Sequence, residues 1–259
     1  MFQRSIKFGA LLLLLAGSIG GQTRPAAQRP MDGGVREVLI SIYIPSLPSA
    51  PFTATVKTET VRALADGSSI ILKNHRLIAR DKEGRIFQER RLLVPDDGKH
   101  ESIVTQTEIS DPVRNLLYIC MPREKLCQLE PYTTRDSRLP PADVERPKGP
   151  GIPEQESLGT QIIAGLETVG TRESAVILSG AIGNNSPILS KREYWYSAQL
   201  GLNLLSTRQD PRFGAQRFEL SDVALGEPDA KLFEPPSGYQ VIDQHRQMEG
   251  PSTIAATPN

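Results

Sequence analysis

The chain has 259 residues, with 30 Lys plus Arg against 30 Asp plus Glu, so its formal net charge is zero. That balance argues against a nucleic-acid binder, which needs a basic field to neutralise phosphates, and against electrostatic docking on anionic lipid. The length suits one sizeable core, because all-β domains commonly run to about 200–250 residues.

Residues 1–21 have the three parts of a secretory signal peptide. Arg4 and Lys7 are the positive part, Phe8 to Ala16 the apolar part, and Gly17, Ser18, Gly20 and Gly21 the small-residue part, with cleavage expected after Gly20 or Gly21. The apolar run is well short of the ~20 residues that cross a bilayer, so a cleaved signal is expected rather than an anchor. No Cys follows it, so lipid attachment is not expected. The mature chain is expected to be secreted or periplasmic, with no transmembrane span. Residues 22–34 read as a flexible leader.

The segment 35–242 is expected to be a single domain. Val35 to Ile44 has strand-like residues, but prolines at 45, 48 and 51 restrict it to an edge strand or an extended strap. Phe52 to Thr60 alternates, with Phe52, Ala54 and Val56 on one side and Thr53, Thr55, Lys57 and Glu59 on the other. Asp66-Gly67 is the signal of a two-residue hairpin with both central residues at positive φ. It joins Thr58–Leu64 to Ser69–Ala79. Arg80 to Arg85 reads as a type I turn closed by Gly84 in the left-handed region, and leads into a strand from Ile86 to Val94. The basic residues Arg76, Arg80, Arg85, Arg90 and Arg91, lying beside Asp81, Glu83 and Glu89, read as a charge ladder on a solvated face. An anionic-partner site is the alternative.

Cys120 and Cys127 flank a hairpin end. With Pro122 to Lys125 as a four-residue turn, the two cysteines oppose each other across the ladder, and a disulfide is expected in an oxidising compartment. Two small apolar strand residues are the alternative. Residues 133–153 carry prolines at 140, 141, 147, 150 and 153 and no apolar period, and read as a Pro-rich loop outside the sheet. Strand-like segments follow at Leu158–Ile163 and Thr168–Leu178. Lys191 to Asp243 then reads as a three-stranded meander, a helical turn from Pro228 to Phe233 and a final strap. Residues 243–259 read as a disordered tail.

The fold class is mostly β: a curved antiparallel sheet, or half-barrel, with one short helical turn and a closing C-terminal strap. His75, His100 and His245 lack partners at ligand spacing, so no metal is expected, and no nucleophile elbow or phosphate loop is present. No cofactor and no enzymatic activity are expected. The candidate ligand-binding residues are Tyr194, Trp195 and Tyr196, whose alternation places Trp195 on the face opposite the two tyrosines. They read either as a ligand wall or as ordinary packing of large rings.

The aromatic strand, the Leu-rich strand, the Asp210–Gly214 turn and the closing Asp-Ala-Lys-Leu-Phe-Glu-Pro-Pro-Ser-Gly-Tyr-Gln-Val resemble the C-terminal half of the periplasmic lipoprotein-carrier superfamily (LolA, LolB and RseB-like proteins). The run from Leu72 to Arg91 resembles a group of exported bacterial proteins of unassigned role. The first resemblance implies a half-open barrel that cradles acyl chains. It covers about Trp195–Ile242, and the lidding helices of the carriers have no counterpart here. The function expected is binding of a hydrophobic envelope ligand: an acyl chain, lipopeptide or lipoprotein. The alternative is an envelope sensor or scaffold that binds another protein through a sheet edge or the Pro-rich loop.

Overall fold

The computed structural model describes residues 42–132 and 154–243, all within one compact unit. The expected signal peptide, leader, Pro-rich loop, His245 and all of the tail except Asp243 lie outside the described residues.

Thirteen strands form one sheet. The first seven are β1 (Phe52–Ala63), β2 (Ser69–Arg80), β3 (Ile86–Arg91), β4 (Val94–Pro95), β5 (Val104–Asp111), β6 (Leu116–Met121) and β7 (Leu126–Pro131). The others are β8 (Glu154–Ile163), β9 (Leu166–Ile177), β10 (Ile188–Ser197), β11 (Leu202–Asp210), β12 (Gly214–Leu225) and β13 (Gln240–Asp243). Their spatial order is β13-β7-β6-β5-β3-β2-β1-β12-β11-β10-β9-β8, with β4 paired to β2. Among the described residues the ends of this path do not pair, so the sheet is not closed into a barrel. Neighbours are antiparallel except β13, which runs parallel to β7. The helical turn is a 3-10 turn, Ala230–Phe233, capped by the Asp229 side chain accepting from Lys231 N.

Alternation on β1 sets the packed face. Phe52, Ala54 and Val56 are buried, while Thr53, Thr55 and Lys57 between them are half-buried or exposed. Register carries the buried row to Ile78 on β2 and to Phe218 and Leu220 on β12. Each such side chain removed from water contributes about 1.5–3 kcal/mol. Residues 42–50 cross this face as an extended strap rather than a strand, with Ile42 and Ile44 in the core. Ser46 Oγ donates to Gly84 O at 2.9 Å, and Ser49 N donates to Lys82 O at 2.9 Å. A second, smaller cluster joins Ala79, Phe87 and Ile109 to Phe233 of the 3-10 turn.

The Asp66-Gly67 expectation is corrected in type. Leu64 accepts from Gly67 N and donates to Ser68 O, which makes a three-residue loop. Only Gly67 is at positive φ, +85°. A three-residue loop needs positive φ only at its last position, and the Asp66 carboxylate braces it by accepting from Ser68 N and Oγ. The true two-residue turn is Ala164-Gly165, both at positive φ, between the paired Ile163 and Leu166.

Of the five basic residues, Arg85, Arg90 and Arg91 pair with Asp81, Glu108 and Glu89, but Arg76 and Arg80 do not lie on a solvated face. Arg76 and Arg80 are 4% and 0% exposed on the packed face, where burial lowers the pKa of each to about 10. The expected strand from Ile86 to Val94 also breaks. Beyond Arg91 the chain leaves β3, and Val94–Pro95 pairs with Leu72 and Lys73 instead. This leaves a split beside Asn74–Leu77 that side chains fill. Asn74 Nδ2 donates to Arg91 O at 3.0 Å, and Glu89 Oε2 accepts from Leu77 N at 2.9 Å.

Cys120 and Cys127 are directly opposed on β6 and β7 and are disulfide-bonded, as expected.

Candidate functional site

The three aromatics of β10 go to three different environments. Trp195 packs against the main core and lies over Gly170 of β9, where a Cβ would sit 2.6 Å from its ring. Gly170 is what allows the indole to approach the backbone so closely. A bulge in the β10–β11 pairing, with Leu204 as the extra residue, separates Trp195 from Tyr196.

Tyr196 is 45% exposed and sits directly opposite Val169, which is 50% exposed. Diagonal to Val169 on β8 is Ile162, 67% exposed. Alternation places these three on one face, so they form an apolar stripe that runs out to the end of the sheet. There β8 pairs only with β9 among the described residues, and its other side presents a row of backbone donors and acceptors. Sequence reasoning missed this stripe because Tyr196, Val169 and Ile162 are brought together by register alone.

Tyr194 lines a pocket of about 170 Å³ with Ile42, Tyr43 and Phe218. Arg192 and Arg208 line the same pocket and oppose each other in the β10–β11 register.

A larger groove, of about 790 Å³, lies between β1, β2 and β12 and the segment from Val94 to Ser102. Its lining is charged and largely self-neutralising. Lys73 sits between Asp96 at 2.7 Å and Glu59 at 3.1 Å, and those bonds raise its pKa. Arg217 bonds Glu219 at 2.9 Å. His100 Nδ1 is 2.8 Å from Asp97, whose carboxyl is held below the ordinary range by hydrogen bonds from Lys99 N and from His100. His75 lines the same groove. Among the described residues no group of three or more His, Cys, Asp and Glu is arranged to hold a metal ion, and no helix is long and apolar enough to cross a membrane.

The apolar face of the sheet is covered by the chain's own side chains. Ile42 and Ile44 of the strap, and Leu200 of the β10–β11 turn, pack on Phe52, Ile78 and Phe218. Arg80 fastens both covers, donating to the carbonyls of Pro45, Ala50 and Leu200 at 2.7–3.0 Å.

No family model matches the chain, and no curated protein matches it. Among solved structures it is similar to an uncharacterized conserved protein from Thermus thermophilus, at 9% identity and a TM-score of 0.39, over 75% of this chain and 91% of that one. It is similar to a chain of the Pseudomonas aeruginosa MucA/MucB complex, at 14% identity and a TM-score of 0.40, over 74% of this chain. The chain spans only 58% of that chain's length. A LolA superfamily protein from Nitrosomonas europaea is similar at 13% identity and a TM-score of 0.29, over 73% of this chain and 91% of that one.

Proposed function

We propose that the chain is a non-enzymatic binding protein of an exported compartment that takes an extended segment of another protein along β8. The observation that carries this reading is the junction of a ten-residue strand, Glu154–Ile163, whose outer edge pairs with no other strand among the described residues, with the exposed stripe of Ile162, Val169 and Tyr196. A free edge supplies main-chain hydrogen bonds to an added strand, and an adjoining apolar stripe supplies selectivity for its side chains. Glu154 at the other end of β8 favours a segment that is basic at one end and apolar at the other, while Glu156 there is already paired with Arg172 at 2.9 Å. The Cys120–Cys127 disulfide supports an oxidising, exported setting. An acyl-chain ligand is the weaker reading, because the packed face already holds the chain's own side chains.

The test is site-specific photo-crosslinking in the native envelope, with the probe at Ile162, at Val169 or, on the far groove, at Lys57. A single protein adduct from 162 and 169 but not from 57, abolished by a second substitution Tyr196→Glu, is expected. Equal labelling from all three positions, or a stoichiometric lipid that co-purifies in native mass spectrometry, would overturn the reading in favour of non-specific contact or an acyl ligand respectively.

A further inference from the structure

The small pocket beneath the strap has a chemistry that the strand edge does not use. Arg192 and Arg208 face each other directly across β10 and β11, and like charges in that position repel. Arg208 Nε is buried with no hydrogen-bond partner. Its ion pair from Nη2 to Asp210 is long at 3.5 Å, Asp210 is already held by Arg212 at 2.7 Å, and the guanidinium otherwise rests 4.9 Å over the Phe213 ring, which offers Nε no acceptor. No ion pair to Arg192 is present among the described residues, and Glu173, opposite it on β9, accepts from Gln155 at 3.0 Å. A buried guanidinium N–H without an acceptor is destabilising, and two opposed guanidiniums add to that cost. Such an arrangement persists when something else supplies the acceptor.

We infer that this pocket binds the carboxylate of a small apolar acid. Arg192 and Arg208 both line the pocket and none of its other described lining residues is a carboxylate, so an anion is the ligand that they fit. Guanidiniums pair with a carboxylate in planar, bidentate fashion. The Tyr194 ring, with Ser206 opposite it in register, lies one pair further along the same face. Ile42 and Phe218 form the apolar wall against which the body of the acid rests. The volume of about 170 Å³ is that of roughly five waters, enough for a carboxylate and a short body but not for a long acyl chain. The site is separate from the β8 edge and does not depend on it.

The experiment is calorimetric titration of the full chain with benzoate and hexanoate, each compared with its matched alcohol and with inorganic phosphate. Both carboxylates are expected to bind with a dissociation constant in the millimolar range or tighter, at least tenfold better than the alcohols or phosphate. Arg192→Gln is expected to weaken them at least tenfold while the thermal midpoint of the unliganded protein stays the same or rises, since a repulsion is removed. A purely structural Arg192 would instead lower that midpoint. Arg208→Gln is the second variant, and Arg192→Gln stands alone if it does not fold. Carboxylates that bind no better than their alcohols, phosphate that binds better than either, or an affinity unmoved in Arg192→Gln would each overturn the inference.

Discussion

Arg80 donates from Nη2 to the main-chain oxygen of Leu200 at 2.7 Å, although the two lie 120 positions apart in sequence. The same guanidinium bonds Pro45 O and Ala50 O and stacks 5.0 Å over the Phe52 ring. It therefore acts as a clamp made of one side chain and three carbonyls, with no carboxylate among its bonds. Arg80→Met is expected to lower stability by about 2–4 kcal/mol, from several buried carbonyls left without donors. Urea unfolding measures the loss, and limited proteolysis is expected to cut first within residues 42–50. Arg80→Lys is expected to recover only part of it, because an ammonium cannot span the three acceptors in one plane.

Reducing the Cys120–Cys127 bond is expected to cost about 2–3 kcal/mol by the chain-entropy estimate for so short a loop. The comparison is the denaturation midpoint with and without reductant, with the Cys120→Ala/Cys127→Ala double variant as the reference. A sheet that reads the same by circular dichroism in both forms is expected, since the cysteines are already paired by register.

Gly170→Ala would place a methyl 2.6 Å from the Trp195 ring and 2.8 Å from Leu158 Cβ. Overpacking of this kind costs about 1–3 kcal/mol. Trp195 is the chain's only tryptophan, so its displacement is read directly as a change in emission wavelength. An unchanged spectrum would mean that the indole is not seated over Gly170.

Asp210 is fully buried, and hydrogen bonds from Arg212 hold its carboxyl well below the ordinary value of 3.8, against the opposing effect of burial. A folded-state pKa below the unfolded one means that the carboxylate contributes stability above the unfolded value. That contribution is lost as the pH falls through the range below 3.8. Asp111 behaves in the same way: burial raises its pKa, but the hydrogen bonds and charge of Arg114 more than offset this. Asp210→Asn is expected to be less stable at pH 7 and to show a flatter loss of stability on acidification, with about one proton fewer taken up on unfolding. Denaturation midpoints measured from pH 2 to pH 7 check both.

Local chemistry made the strands legible in the sequence. Phe52, Ala54 and Val56 announce a half-buried strand, Gly84 closes its turn at φ +84°, and the spacing of Cys120 and Cys127 gives their register. What stayed illegible depends on which strands become neighbours. Arg80 looks like a surface charge until the strap covers it, and Arg76 until Gln88 of β3 is brought beside it. Tyr194, Trp195 and Tyr196 look like one wall, but alternation and a bulge send them to a pocket, to the core and to an open edge. The pairing of β13 with β7 in parallel is likewise invisible, because the apolar strap of Val241 and Ile242 would suit either direction.

The seam between β1 and β12 joins Phe52 to Leu225 and Val61 to Ala215. Every contact along it closes a loop of more than 150 residues, so it is the slowest kind of pairing for a chain to find. Until β12 is available, the edge of β1 is a bare template next to the β1–β2 hairpin, open to any other strand that reaches it. Assembly of the sheet therefore has to wait for nearly the last part of the chain, and truncation anywhere before residue 214 is expected to yield aggregates rather than a smaller folded sheet.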